Sequence, residues 1–339
     1  MRESTGIDEI DLAVVHAVER SPRASWAVIG SLVGIDASTA ARRWERLEDA
    51  GVAWVTCYPV LVSSLAAAVV ALTCAPDAAT RVAETIARDP QALFVDVTTG
   101  AADVLVTVGA DGIAALSSYV LDRLGGTPGV TSVQTHPILV VHAEGNFVGA
   151  GSLDSAALHS LPVPEHGRLG GASAAIGDLD RAICDALSRD GRRPVSALAR
   201  DVDAAEATVR RRLARLTRLG AVRMMVEMAT SRTATPLTAW YSARVPGRRR
   251  DATARALAAL PTVKAVTSVA GPDNIIFKAT FRDLADIHTF DTRLNENLPD
   301  LETTDRKVVL RPVRIMSRLV DPGGHAREVV STDVRRPTP

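Results

Sequence analysis

Five arginines within nine residues, Arg210, Arg211, Arg212, Arg215 and Arg218, are the side chains whose type and spacing could do chemistry in this sequence. A guanidinium is planar, permanently charged and rich in donors, so it suits both phosphate oxygens and guanine edges. If residues 205–219 are helical, Val209, Leu213 and Leu216 form one apolar stripe. Arg211, Arg215 and Arg218 then fall on the opposite face, flanked by Arg210 and Arg212. A related segment lies 169 residues earlier, with Ala40, Trp44 and Leu47 as the stripe, Arg42 and Arg46 projecting outward, and Arg43 beside them. Asp49 stands there at the position of Arg218. Ser38, Thr39 and Thr208, near the two helix starts, complete the candidate DNA-contacting set. A single exposed arginine on a helix is ordinary, but this cluster, partly repeated, points to double-stranded DNA.

The elements that must position these side chains occur twice. Ile7, Asp11, Arg23, Thr39, Arg42, Arg43, Arg46, Leu47 and Gly51 recur without a gap as Ile176, Asp180, Arg192, Thr208, Arg211, Arg212, Arg215, Leu216 and Gly220. A repeat this long is a complete module rather than a solenoid unit. Apolar spacing predicts a helix through Ile10, Val14 and Val18, a second over Trp26–Val33 capped by Ser25, a turn at Gly34, and a third over Ala37–Ala50 stopped by Gly51. Asp178–Arg189, Pro194–Asp201 and Ala205–Leu219 repeat the pattern. Three short helices with a compact turn before the third describe a helix-turn-helix. Val52–Tyr58 and Val222–Met228 follow as a wing or exit strand. After each unit the order strand, helix, strand, strand, helix, strand is that of a ferredoxin-like domain.

The expected fold is therefore α+β: two winged helix-turn-helix domains alternating with two ferredoxin-like βαββαβ domains. The boundaries read as 1–56, 57–142, a flexible linker over 143–175, 176–229, 230–318 and a disordered tail over 319–339. The 339 residues are 47% apolar but only 4% aromatic, so Ala, Val and Leu must build the cores. Net charge is zero, so any nucleic-acid footprint is local. Cys57, Cys74 and Cys184 form no metal or disulfide spacing, and His142, His159 and His166 match no ligand pattern, so no metal is expected. The start has no apolar signal-peptide core, and the run Leu65–Ala75 is too short to span a bilayer. An intracellular protein without a membrane partner is expected.

The stretches IGSLVGIDASTAARRWERLEDAGV and LARDVDAAEATVRRRLARLTRLGAV, together with the turn TTGAADVLV, resemble the Lrp/AsnC family of transcriptional regulators. The resemblance takes in both helix-turn-helix units and residues 56–142 and 230–313 as effector domains. It implies a cytoplasmic, nucleoid-associated regulator, a homodimer or higher homo-oligomer formed through effector domains, and an amino acid or related small molecule bound near the Gly-x-x-Asp turn. Carried over by position, that site is Gly100 and Asp103 in copy one, and Gly271, Asp273 and Asn274 in copy two, where Asn274 replaces the acid. The same spacing also suits a plain β-turn.

The copies differ in charge. Residues 1–56 hold six Arg against nine acids, and residues 176–232 hold twelve against eight. Copy two is expected to carry most DNA affinity, because phosphate neutralisation releases counterions in proportion to charge. Two-module chains resembling sirohaem decarboxylases use the same architecture to hold a tetrapyrrole, with chemistry leaning on a His-Asn-Tyr-type cluster. None of Tyr58, Tyr119 and Tyr241 adjoins a histidine in sequence. The chain is accordingly read as a regulator and not an enzyme, with no catalytic residue and no cofactor.

Overall fold

In chain order the helices and strands bear out the alternating plan. The computed structural model describes residues 6–59, 65–145 and 177–335. Copy one comprises α1 (Glu9–Arg20), α2 (Trp26–Val33), α3 (Ala37–Asp49), β1 (Ala53–Pro59), β2 (Ala66–Cys74), α4 (Ala79–Ile86), β3 (Ala92–Thr98), β4 (Val104–Ala110), α5 (Gly112–Ser118) and β5 (Val130–Glu144). Copy two comprises α6 (Asp178–Arg189), α7 (Val195–Asp201), α8 (Glu206–Arg218), β6 (Val222–Met228), β7 (Leu237–Arg244), α9 (Arg250–Ala258), β8 (Val263–Val269), β9 (Ile275–Phe281), α10 (Leu284–Asn297) and β10 (Glu302–Ile315). The helix expected over Asp111–Leu124 is α-helical only to Ser118 and continues as a wider π turn over Tyr119–Leu124. No helix among the described residues is long and apolar enough to cross a membrane.

The chain divides into two compact units. The first holds both helix-turn-helix motifs. Asp36 caps α3 by accepting from the Thr39 amide at 2.9 Å, and Gly34 takes the left-handed conformation at φ 78° before it. Asp203 adopts φ 47° at the matching place in copy two, a conformation a short polar side chain tolerates. Among the described residues the strands after the third helices form no wing hairpin. Instead β1 pairs antiparallel with β6, and Thr56 faces Met225, its own counterpart in the repeat. Each strand thereby covers the other copy's helices: Val226 and Met228 join the core of Val14, Val18, Trp44 and Leu47, while Cys57 joins that of Ile183, Leu187, Leu213 and Leu216. Burial pushes the Cys57 thiol well up and that of Cys184 to about 12, as inert core residues require.

The second unit holds both ferredoxin-like domains in one sheet. The first half of β5 pairs with β2 and its second half with β8; likewise β10 pairs with β7 and then β3. Strands therefore run in a closed circuit, β3-β4-β2-β5-β8-β9-β7-β10 and back to β3. The sequence does not choose between effector domains that pair within one chain and domains that pair between chains; in the fold the two pair within one chain. Helices cover the two outer faces, and Val69, Leu105, Trp240, Val269 and Ile276 pack between them.

Two boundary expectations need correction. Ala143 and Glu144 belong to β5 rather than to a linker, and residues 146–176, including His159 and His166, lie outside the described residues. The tail expected to be disordered adds strands β11 (Arg318–Val320) and β12 (Ala326–Val329) beside β10. Its charges mislead because they find partners: Arg88 with Glu328 at 3.0 Å and Arg335 with Asp111 at 2.8 Å. Arg314, fully buried, donates to the carbonyls of Ala87 and Asp89 and to that of Ser331 in the tail.

Candidate nucleic-acid interface and effector turns

The recognition helices α3 and α8 sort their arginines by angle. Arg43 and Arg46 turn inward to Asp11 on α1, which is fully buried; Arg43 reaches it at 2.8 Å. Arg212 and Arg215 make the same inward turn toward fully buried Asp180, at 3.2 and 3.7 Å. Both aspartates also close the N-terminal turn of their helix, Asp11 accepting from the Asp8 amide and Asp180 from that of Gly177. These four arginines thus brace α3 against α1 and α8 against α6. Ser38 and Thr39 donate their hydroxyls to Asp36, whose carboxyl those bonds hold well below the usual range. Thr208 is half-buried.

What remains outward is a narrower set. Arg42, Arg211 and Arg218 are exposed and have no carboxylate partner among the described residues, whereas Arg210 pairs with Glu206 at 2.6 Å. Arg42 and Arg211 occupy equivalent positions, each opposite its helix's buried stripe. An open groove of ≈510 Å³ beside α8 is edged by Arg210 and Arg218.

Two arginines that the repeat displayed but the sequence reading left without a role hold the copies together. Arg23 donates to the carbonyls of Gly191 and Arg193, at 2.7 and 3.0 Å. Reciprocally, Arg192 donates to those of Pro22 and Ala24, at 2.6 and 2.7 Å, and stacks over Trp26. Burial pushes the Arg192 guanidinium down to about 10. The exchange follows the same pseudo-two-fold relation as the β1–β6 pairing, so α3 and α8 belong to one body.

In the second unit the two effector turns are anchored alike. The Asp103 carboxylate accepts the Cys74 amide at 2.7 Å, at the end of β2. Asn274 accepts the Val245 amide at 3.1 Å and donates to its carbonyl at 2.7 Å, just past the end of β7. The acid and the amide therefore both fasten a turn to its neighbouring strand, the β-turn role that the spacing also allowed. Asp273 lies 4.0 Å from Arg244, at ion-pair range. Gly100 and Gly271 have positive φ, 95° and 148°, and each sits against the last strand of the other copy. A side chain at Gly100 would meet Lys307, which is paired with Asp305, and one at Gly271 would meet His136.

Sequence reasoning missed His136 and Lys307, which are 171 residues apart and equivalent in the ferredoxin-like repeat. His136 is 6% exposed, and its Nδ1 has no hydrogen-bond partner. Burial lowers its pKa, against the raising effect of Asp273. His142 is separate, bonded to Ser268 at 2.7 Å. Among the described residues no group of three or more His, Cys, Asp or Glu could hold a metal.

Comparison with known proteins adds to this geometry. The AsnC-type helix-turn-helix domain matches residues 7–48 and 177–217, and the Lrp/AsnC ligand binding domain matches residues 67–146 and 238–319. The chain belongs to the Lrp/AsnC family. It is 25% identical over 134 residues to an uncharacterized HTH-type transcriptional regulator of Pyrococcus furiosus, covering 38% of this chain and 89% of that one. A similar regulator of Pyrococcus horikoshii is also 25% identical over 134 residues, with 38% and 84% covered. Among solved structures, the siroheme decarboxylase NirDL shares the fold across 91% of this chain and 93% of its own, with TM-score 0.60 and 13% identity. That likeness overturns the expectation that the chain is not an enzyme. The same fold serves an enzyme, so a helix-turn-helix repeat is no argument against catalysis.

Proposed function

We propose that the chain is a sequence-specific DNA-binding transcriptional regulator of the Lrp/AsnC type, acting on nucleoid DNA and modulated by an amino-acid-like molecule at the effector turns. The observation that carries this reading is the pair Arg42 and Arg211, exposed and without an ion-pair partner among the described residues, at matching positions on two recognition helices of one body. Arg218 adds a third outward cation on copy two. The Pyrococcus relatives, both uncharacterized HTH-type transcriptional regulators, support the same class. For the effector, Lys307 and Asp305, an ion pair beside Gly100, are the cation and the carboxylate that an amino acid's own carboxylate and ammonium would engage by exchanging partners. Assembly of whole chains into a homo-oligomer forms a further tier of this proposal, read by light scattering. Fluorescence anisotropy against genomic fragments, with and without amino acids, tests the main reading. Salt-dependent retention of particular fragments is expected, and uniform failure to bind defeats it.

A second reading, tetrapyrrole decarboxylation, rests on the whole-chain likeness to NirDL and on His136, a buried imidazole with an open nitrogen. Absorbance after incubation with an iron tetrapyrrole distinguishes it: tight binding and loss of carboxylate without any DNA shift would replace the first reading.

A further inference from the structure

The outward stripes of the two recognition helices are built on one plan from different residues. On α3, residues 38, 42, 45 and 49 lie within about 60° of each other at 100° per residue, and all four are exposed. Their equivalents on α8 are residues 207, 211, 214 and 218, also all exposed. Only the arginine at the second position is shared. Ser38 faces Ala207 across the alignment, Glu45 faces Ala214, and Asp49 faces Arg218. None of these differences touches the bracing of Arg43 and Arg46 by Asp11 or of Arg212 and Arg215 by Asp180. The stripes thus differ outside the brace, and of the differing residues Ser38 also bonds Asp36, the cap of α3.

Their chemistry differs in kind. An arginine in the major groove pairs with guanine O6 and N7, and both copies supply one. A glutamate accepts from the cytosine amino group and repels phosphate, whereas an alanine packs on the thymine methyl. Asp49 repels the backbone where Arg218 attracts it. A homodimer must present two identical stripes and so reads a palindrome. This chain carries both stripes in one body, joined by the β1–β6 register and the exchanged Arg23 and Arg192, and no symmetry forces them to match.

We propose that the helix-turn-helix unit reads a duplex of two unlike half-sites: a guanine with a neighbouring cytosine under Arg42 and Glu45, and a guanine with a neighbouring thymine under Arg211 and Ala214. This rests on the DNA-binding reading above and adds the form of the target. Copy one acts as the discriminating half and copy two as the tighter one.

The test selects duplexes from a random library with the full chain. It then measures affinity for three defined duplexes: the mixed site, a palindrome of the copy-one half and a palindrome of the copy-two half. The wild type is expected to favour the mixed site over either palindrome by about tenfold, the discrimination of one good base contact. The variant Glu45→Ala/Asp49→Arg, which gives α3 the residues of α8 at three of the four outer positions, is expected to move the preference to the copy-two palindrome by a similar factor. Circular dichroism checks that this surface variant keeps its fold. A wild-type preference for either palindrome, or an unmoved preference in the variant, would overturn the inference while leaving DNA binding intact. Failure of the wild type to retain any duplex would overturn the DNA-binding reading and this inference with it.

Discussion

The inner flanks of the two recognition helices match, and their outer faces do not. On α3 two arginines clasp buried Asp11, and on α8 two arginines lie at ion-pair range of buried Asp180. Outward, α3 presents Arg42 among Glu45 and Asp49, while α8 presents Arg211 among Ala214 and Arg218. The effector unit repeats the lesson. Asp103 and Asn274 do the same anchoring work, yet the interior between the two halves of the sheet holds Asp96, Trp240 and Lys278, whose equivalents are Thr267, Val69 and Thr107. Duplication has kept the contacts that build each copy and changed what the copies show to DNA and to one another.

The largest effect should break the matched half of this comparison. Replacing Asp180 by Ala removes the buried acceptor from Arg212 and Arg215, and Asp11→Ala does the same to Arg43 and Arg46. Each should cost roughly 2–3 kcal/mol, below the usual figure for a broken buried pair because the guanidiniums still reach water. Urea unfolding followed by tryptophan fluorescence measures both, and a copy that tolerates the change has a different brace.

The unmatched half is tested by Arg211→Ala and Arg42→Ala. The first should weaken DNA binding about tenfold and lower the salt slope by about one, and the second should do less, since acidic neighbours already oppose its contact. Anisotropy across salt reads both slopes; equal losses would erase the proposed division between copies.

A third prediction concerns Asp96, which is buried and accepts from the Trp240 indole at 2.9 Å. Desolvation raises its pKa, against the opposing influence of Lys278 and the Trp240 bond. A carboxyl raised in the folded state binds its proton more tightly there than when unfolded. Its stabilising contribution is therefore complete below the ordinary value of 3.8 and is lost as pH rises through the folded one. Asp96→Asn keeps an acceptor for Trp240 and should remove that pH dependence, raising stability at neutral pH. Thermal melts of both proteins across acid to neutral pH decide it, and parallel curves would refute the burial argument.

The smallest effect is expected at Asp103→Asn. An amide oxygen still accepts from the Cys74 amide, as Asn274 does from that of Val245, so stability should fall by less than about 1 kcal/mol. Ligand affinity measured by calorimetry should change by less than about twofold, and a tenfold loss would return Asp103 to the binding site.

The sequence by itself determined the module. Helical and strand periodicities, the cap at Ser25 and the repeated identities were local signals, and local signals survive in one dimension. It also singled out Arg42, Arg211 and Arg218, because a helical wheel separates outward from buried positions. The wheel did not separate Arg215 from them, since only Asp180, 35 positions away on another helix, turns that guanidinium aside. The same limit hid the pairing of β1 with β6, the exchange of Arg23 and Arg192, the folded tail around Arg314 and the burial of His136. Each depends on groups far apart in the chain that must meet to satisfy one another's hydrogen bonds and charges, and only the tertiary structure decides which of them meet.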